Sequence, residues 1–133
     1  MVEWSPRVAD TSWLYALYDE TDAHHGEAVG ELARPAPIVL AGEVVVEALG
    51  LWRHRLGRQA ARTCFADIRS RPNVEMVHET DAHEAAKLVG EVRGSFVDAV
   101  VLWHCRRLGI PPLTYDQRLA KLAAPAERSA QQR

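Results

Sequence analysis

Four acidic residues stand where the local pattern changes: Asp10 in VADTS, Glu47 in GEVVVEAL, Asp98 in RGSFVDAVV and Asp116 in PLTYDQRL. Brought to one place, their carboxylates would repel one another unless a cation sat among them. Oxygen-only donors favour hard ions such as Mg2+ or Mn2+. That combination suits hydrolysis of a phosphodiester, because a divalent ion lowers the pKa of bound water and offsets charge on the phosphate. No serine–histidine or cysteine–histidine pairing can be located by spacing, so a covalent nucleophile has no support. Each acid also has a purely structural explanation. Asp10 and Asp116 can cap helices, a role worth about 1 kcal/mol. Ser95 and Asp98 have capping-box spacing, with Asp in place of the usual Glu or Gln. Glu47 can share a solvated helix face with Glu43 and His54.

The elements around these acids read as short strands alternating with helices. Arg7-Val8-Ala9 is a short apolar run before Asp10-Thr11-Ser12, and Trp13, Leu14, Leu17 and Tyr18 follow at helical spacing. A second helical stretch begins at Thr21-Asp22 and stops before Pro35. Pro37 to Leu40 reads as a buried strand, 42–57 as a helix and 58–70 as a more polar helix. NVEMV at 73–77 alternates as a strand. Thr80-Asp81 caps a helix reaching about Val92, and Ser95 opens an apolar helix that Gly109 ends. Residues 110–115 supply one more strand, with Pro111 and Pro112 confined to its edge or beginning. Asp116 starts the last helix. This order predicts an α/β fold with a mostly parallel sheet, whose ligands bind beyond the carboxyl ends of the strands. Asp10 and Asp116 fall there.

Composition sets the frame. The chain has 133 residues, 47% hydrophobic and 26% charged, which suits one globular domain and excludes extended disorder. The expected division is a domain over 1–124 and a polar tail over 125–133. No apolar run is long enough for a membrane span, and the N-terminus shows no signal-peptide pattern. Cys64 and Cys105 share no metal-binding spacing, so a cytoplasmic protein with reduced thiols is expected. Sixteen basic residues stand against 18 acidic ones, which argues against a polybasic nucleic-acid scaffold but leaves room for a local patch. Only Lys87 and Lys121 are lysines; the arginine bias suits phosphate binding but also follows from a GC-rich genome.

The runs VADTSWLYALYDETDAHHGEA, PIVLAGEVVVEALGLWRHRLG and RGSFVDAVVLWHCRRLGIPPLTYDQRL resemble PIN-domain proteins. More narrowly, they resemble the toxin ribonucleases of VapBC-type toxin–antitoxin pairs. The resemblance covers residues 7 to about 122. It implies a Rossmann-like three-layer α/β/α fold with a short central sheet of four or five strands. It also implies RNA cleavage with Mg2+ or Mn2+, leaving 5′-phosphate and 3′-hydroxyl ends. The implied acids are Asp10, Glu47, Asp98 and Asp116, with Asp10 and Asp98 as the principal metal ligands and the others binding directly or through water. Gly42 at the helix start favours Glu47 as the second acid, with Glu43 as the competing position. Ser12 and Thr114 match supporting hydroxyls. The implied partners are an RNA substrate, a cognate VapB-like antitoxin and a second copy in a homodimer, with no membrane. Relatives usually carry a further strand after the last helix, whereas here Ala123-Ala124 lead into the tail.

Weaker signals remain open. Arg53, Arg55, Arg58 and Arg62 form either a phosphate-binding patch or a solvated face. His24, His25, His104 and Cys105 lack zinc-site spacing, and the first two read as part of a solvated helix. Trp4, Trp13, Trp52 and Trp103 read mainly as core. Competing functions are a PIN-like module that binds without cleaving and a hydrolase with an aspartyl nucleophile. The second would want Asp where Ser12 stands. A signalling receiver would want paired acids and a late lysine, and neither is visible.

Overall fold

The computed structural model describes residues 5–123. Trp4, the expected boundary at 124 and the polar tail lie outside the described residues. The strands are β1 (Arg7–Ala9), β2 (Ile38–Ala41), β3 (Val74–Val77) and β4 (Pro112–Leu113). The helices are α1 (Thr11–Tyr18), α2 (His25–Ala33), α3 (Gly42–Leu56), α4 (Arg58–Ser70), α5 (Ala82–Ala86), α6 (Phe96–Leu108) and α7 (Gln117–Leu122). Every strand pair is parallel, in the order β3-β2-β1-β4.

The two central strands are apolar and largely sealed. Val8, Ala9, Ile38, Leu40 and Ala41 have no exposure at all, as expected of a parallel sheet covered by helices. Val8 pairs with Val39 on one side and Pro112 on the other. Helices α1–α4 pack among themselves, and α6 packs with α5, α7, β1 and β4, giving the expected three-layer α/β/α arrangement. Trp13 and Trp52 are fully buried in this core, and Trp103 is half-buried. Asn73 ties the sheet to the end of α2, its amide donating to the carbonyls of Leu32, Arg34 and Ala36.

Two glycines set helix ends. Gly57, at φ +98°, closes α3 and opens α4 without a break in the chain. Gly109, at φ +68°, caps α6 in the left-handed conformation expected from sequence.

Two elements are shorter than the sequence pattern suggests. The helix expected to reach Val92 ends at Ala86. Beyond it Leu88, Val89 and Glu91 donate to carbonyls three residues back, the tighter geometry of successive turns. β4 keeps only two residues of the expected 110–115, because Pro111 and Pro112 have no N–H to offer a ladder. It survives at the sheet edge, where the carbonyls of Pro111 and Leu113 accept from Val8 of β1 and from Asp10 just after it. Among the described residues the sheet has four strands, the lower of the two expected counts.

Candidate active site

The carboxyl ends of β1, β2 and β4 bring all four acids to one cleft. Asp10 follows the last residue of β1, Asp98 lies in the first turn of α6, and Asp116 precedes α7. Glu47 lies one turn into α3, which begins directly after β2. The cleft has a volume of about 340 Å³, and its lining includes Asp10, Ser12, Glu47, Arg55, Asp98 and Asp116. A larger groove of about 1120 Å³, lined in part by Val39, Val77, Trp103 and Ile110, contains none of these acids.

Local bonding separates the capping explanations from the others. Asp10 sits at the N-cap position of α1, but its side chain bonds no helix N–H. Its Oδ2 instead accepts from Thr114 Oγ1 at 2.7 Å and Ser12 Oγ at 3.0 Å. Its Oδ1 is buried with no hydrogen-bond partner among the described residues. Burying a bare carboxylate oxygen is costly, and a cation beside it would remove that cost. Ser95 and Asp98 form no side-chain capping box: Ser95 Oγ donates to Glu47 Oε2 at 2.9 Å. Asp116 does cap α7, its Oδ1 accepting from Arg118 and Leu119 N–H.

The two candidates for the second acid point to different partners. Glu43 accepts from Thr80, which also contacts the buried His104. It does not line the acidic cleft, whereas Glu47 does. Of the expected arginine patch, Arg55 lines the cleft and lies 5.0 Å over the Tyr15 ring. Arg53, Arg58 and Arg62 are exposed on α3 and α4 outside it.

Two further residues at the cleft were not among the expected site residues. His24 and Tyr115 stack at its rim, their rings 4.0 Å apart and 7° from parallel. Neither histidine fits the solvated-helix reading: His24 precedes α2 at its N-cap position and stacks on Tyr115. His25, the first residue of α2, is half-buried, and its Nδ1 lies 2.9 Å from the Ala16 carbonyl of α1.

Crowding shows in the electrostatics. Burial, followed by the charges of Asp10, Glu47 and Asp116, pushes the Asp98 carboxyl up to about 6. No three His, Cys, Asp or Glu side chains among the described residues already converge as a closed metal cage. Mg2+ does not need one: it keeps much of its water and takes one or two carboxylates directly. The bare Asp10 oxygen, the all-oxygen donor set and the destabilised Asp98 carboxylate fit such an ion.

A metal-free pH titration tests the crowding. Asp98 holds its proton more tightly folded than unfolded, where its pKa is about 3.9. Its contribution is therefore fully present below that value and lost as pH rises through about 6. In EDTA, the melting temperature of Asp98→Asn should gain on that of the wild type between pH 4 and 7. A constant difference across that range would show that Asp98 is not crowded.

The parallel sheet with acids at its carboxyl edge is the architecture of a PIN domain. The chain belongs to the PIN-domain family, whose family model matches residues 7–125. Among solved structures it is similar to a VapC-type toxin of that family. This is Mycobacterium tuberculosis VapC20, described as a sarcin–ricin-loop-cleaving toxin. The two share 28% sequence identity at a TM-score of 0.75, over 86% of this chain and 92% of that one. A comparison with curated protein sequences finds no match.

Proposed function

We propose that this chain is a divalent-metal-dependent endoribonuclease, the toxin of a type II toxin–antitoxin pair acting in the cytoplasm. The observation that carries this reading is the buried Oδ1 of Asp10, without a hydrogen-bond partner among the described residues, in a cleft shared with three other acids. Asp10 and Asp98 would hold Mg2+ or Mn2+ directly, and Glu47 and Asp116 would complete the site directly or through water. The ion supplies activation of water and neutralisation of phosphate charge. Ser12 and Thr114 orient Asp10 by occupying Oδ2, which leaves Oδ1 for the ion. Ser95 steadies Glu47. Arg55 is the cation placed to meet a substrate phosphate.

The likeness to VapC20 supports an RNA of the sarcin–ricin-loop type as substrate. It also supports a cognate VapB-like antitoxin. An apolar face of such an antitoxin would dock along the contact between α1 and α3, with a basic side chain reaching the carboxylates. A homodimer belongs to the same reading. Purified protein should cut a sarcin–ricin-type hairpin with Mg2+ or Mn2+ and stop when EDTA is in excess. Full activity in EDTA would overturn the metal mechanism, and binding without cleavage would leave a non-catalytic RNA-binding module.

A further inference from the structure

We infer that the His24–Tyr115 pair is a stacking platform for a nucleobase next to the scissile phosphate, a subsite that deepens the nuclease reading and rests on it. The two rings are near parallel at 4.0 Å, and both line the acidic cleft. Tyr115 is half-buried, and its hydroxyl is buried, so its ring serves as the inner layer. His24 is the outer layer, with 48% of its side chain exposed. A planar ring in that position offers a π-face to any base and discriminates little between bases.

The platform is fixed in register with the acids. Tyr115 lies between Thr114, which bonds Asp10, and the cleft acid Asp116. Its own N–H donates to Ser12 Oγ, the second hydroxyl on Asp10. The His24 N–H donates to Asp22 Oδ1, and Asp22 also lines the cleft. A base on His24 would therefore hold its neighbouring phosphate at a set distance from the carboxylates. Stacking also explains how a cleft with so few cations can retain an anionic chain. Bases splayed from loops are commonly held on aromatic side chains in this way.

The test uses the full chain carrying Asp98→Asn, which should bind RNA in Mg2+ without cutting it. The probes are sarcin–ricin-type hairpins with 2-aminopurine at one position at a time around the cleavage site, each paired with an abasic counterpart. Fluorescence should be quenched at one position beside the scissile phosphate. Adding His24→Ala should remove the quenching and weaken binding of the intact hairpin about tenfold. The abasic hairpin should bind both proteins equally, and His24→Phe should restore quenching and affinity. If the stack merely packs α2 against the loop after β4, His24→Ala will lower the melting temperature without changing the intact-to-abasic ratio. That outcome overturns the platform. The nuclease reading is judged separately, by cleavage with the wild-type chain. Cleavage with no His24-dependent quenching removes the platform alone, whereas neither cleavage nor binding removes both.

Discussion

Asp98→Asn is expected to lower Mg2+-dependent RNA cleavage by about a thousandfold while raising the melting temperature of the metal-free protein. Both effects come from one charge. The ion's electrostatic contribution to phosphate hydrolysis is several kcal/mol, and each 1.36 kcal/mol is a factor of ten in rate. An amide has the shape of the carboxylate but not its charge. Without metal the same charge is a liability, because Asp98 faces Asp10, Glu47 and Asp116 in a half-buried setting. Saturation with Mg2+ at 100 times the dissociation constant should stabilise the wild type by about 2.7 kcal/mol. The variant should lose most of that gain. Single-turnover cleavage and melts in EDTA or Mg2+ measure the two effects, with the exposed acid Glu84→Gln as control. Equal metal shifts in all three proteins would reduce the acids to nonspecific screening.

Gly94→Ala should cost about a hundredfold in cleavage without weakening the fold. A Cβ on Gly94 would lie 1.7 Å from Asp98 Oδ2 and 2.8 Å from its Cγ. The methyl and the carboxylate cannot share that space, and Asp98 is the group that can move. Displacing a reacting or ligating group by about 1 Å costs on the order of 10²-fold in rate. Gly94 is exposed and lies outside the left-handed region, where the positive-φ glycines are Gly57 and Gly109. Alanine there should leave stability equal or higher by about 0.4–1 kcal/mol. Cleavage rates set against melting temperatures, with Gly90→Ala as an unobstructed control, test this. Wild-type activity in Gly94→Ala would mean that Asp98 meets the ion in another rotamer.

Much of the fold was legible because the information was local. DTS, FVDA and TYD each join a strand or loop to a helix start within a few residues, and every predicted strand is present, though β4 is shorter than expected. Choosing between Glu43 and Glu47 was harder. They are four residues apart and share a helix face, and what separates them is Thr80 on one side and Ser95 on the other. Both partners are distant in sequence. The same applies to His24, whose partner Tyr115 arrives from the other end of the domain. Its polar, solvated-helix pattern gave no hint of a stack. Nor could spacing show that Gly94 lies beneath Asp98, because a glycine two residues before a helix reads equally well as a loop.

The Thr114–Asp10 bond joins residues 104 apart, across the pairing of the first strand with the last. A chain leaves the ribosome from its N-terminus, so Asp10 is exposed early, while Thr114, Asp116 and β4 do not yet exist. Closing so long a loop is entropically expensive until β1 can pair. On the nuclease reading, the strand order therefore acts as a timer. The acidic cleft would stay incomplete, and the nuclease inactive, until almost the whole domain has been made.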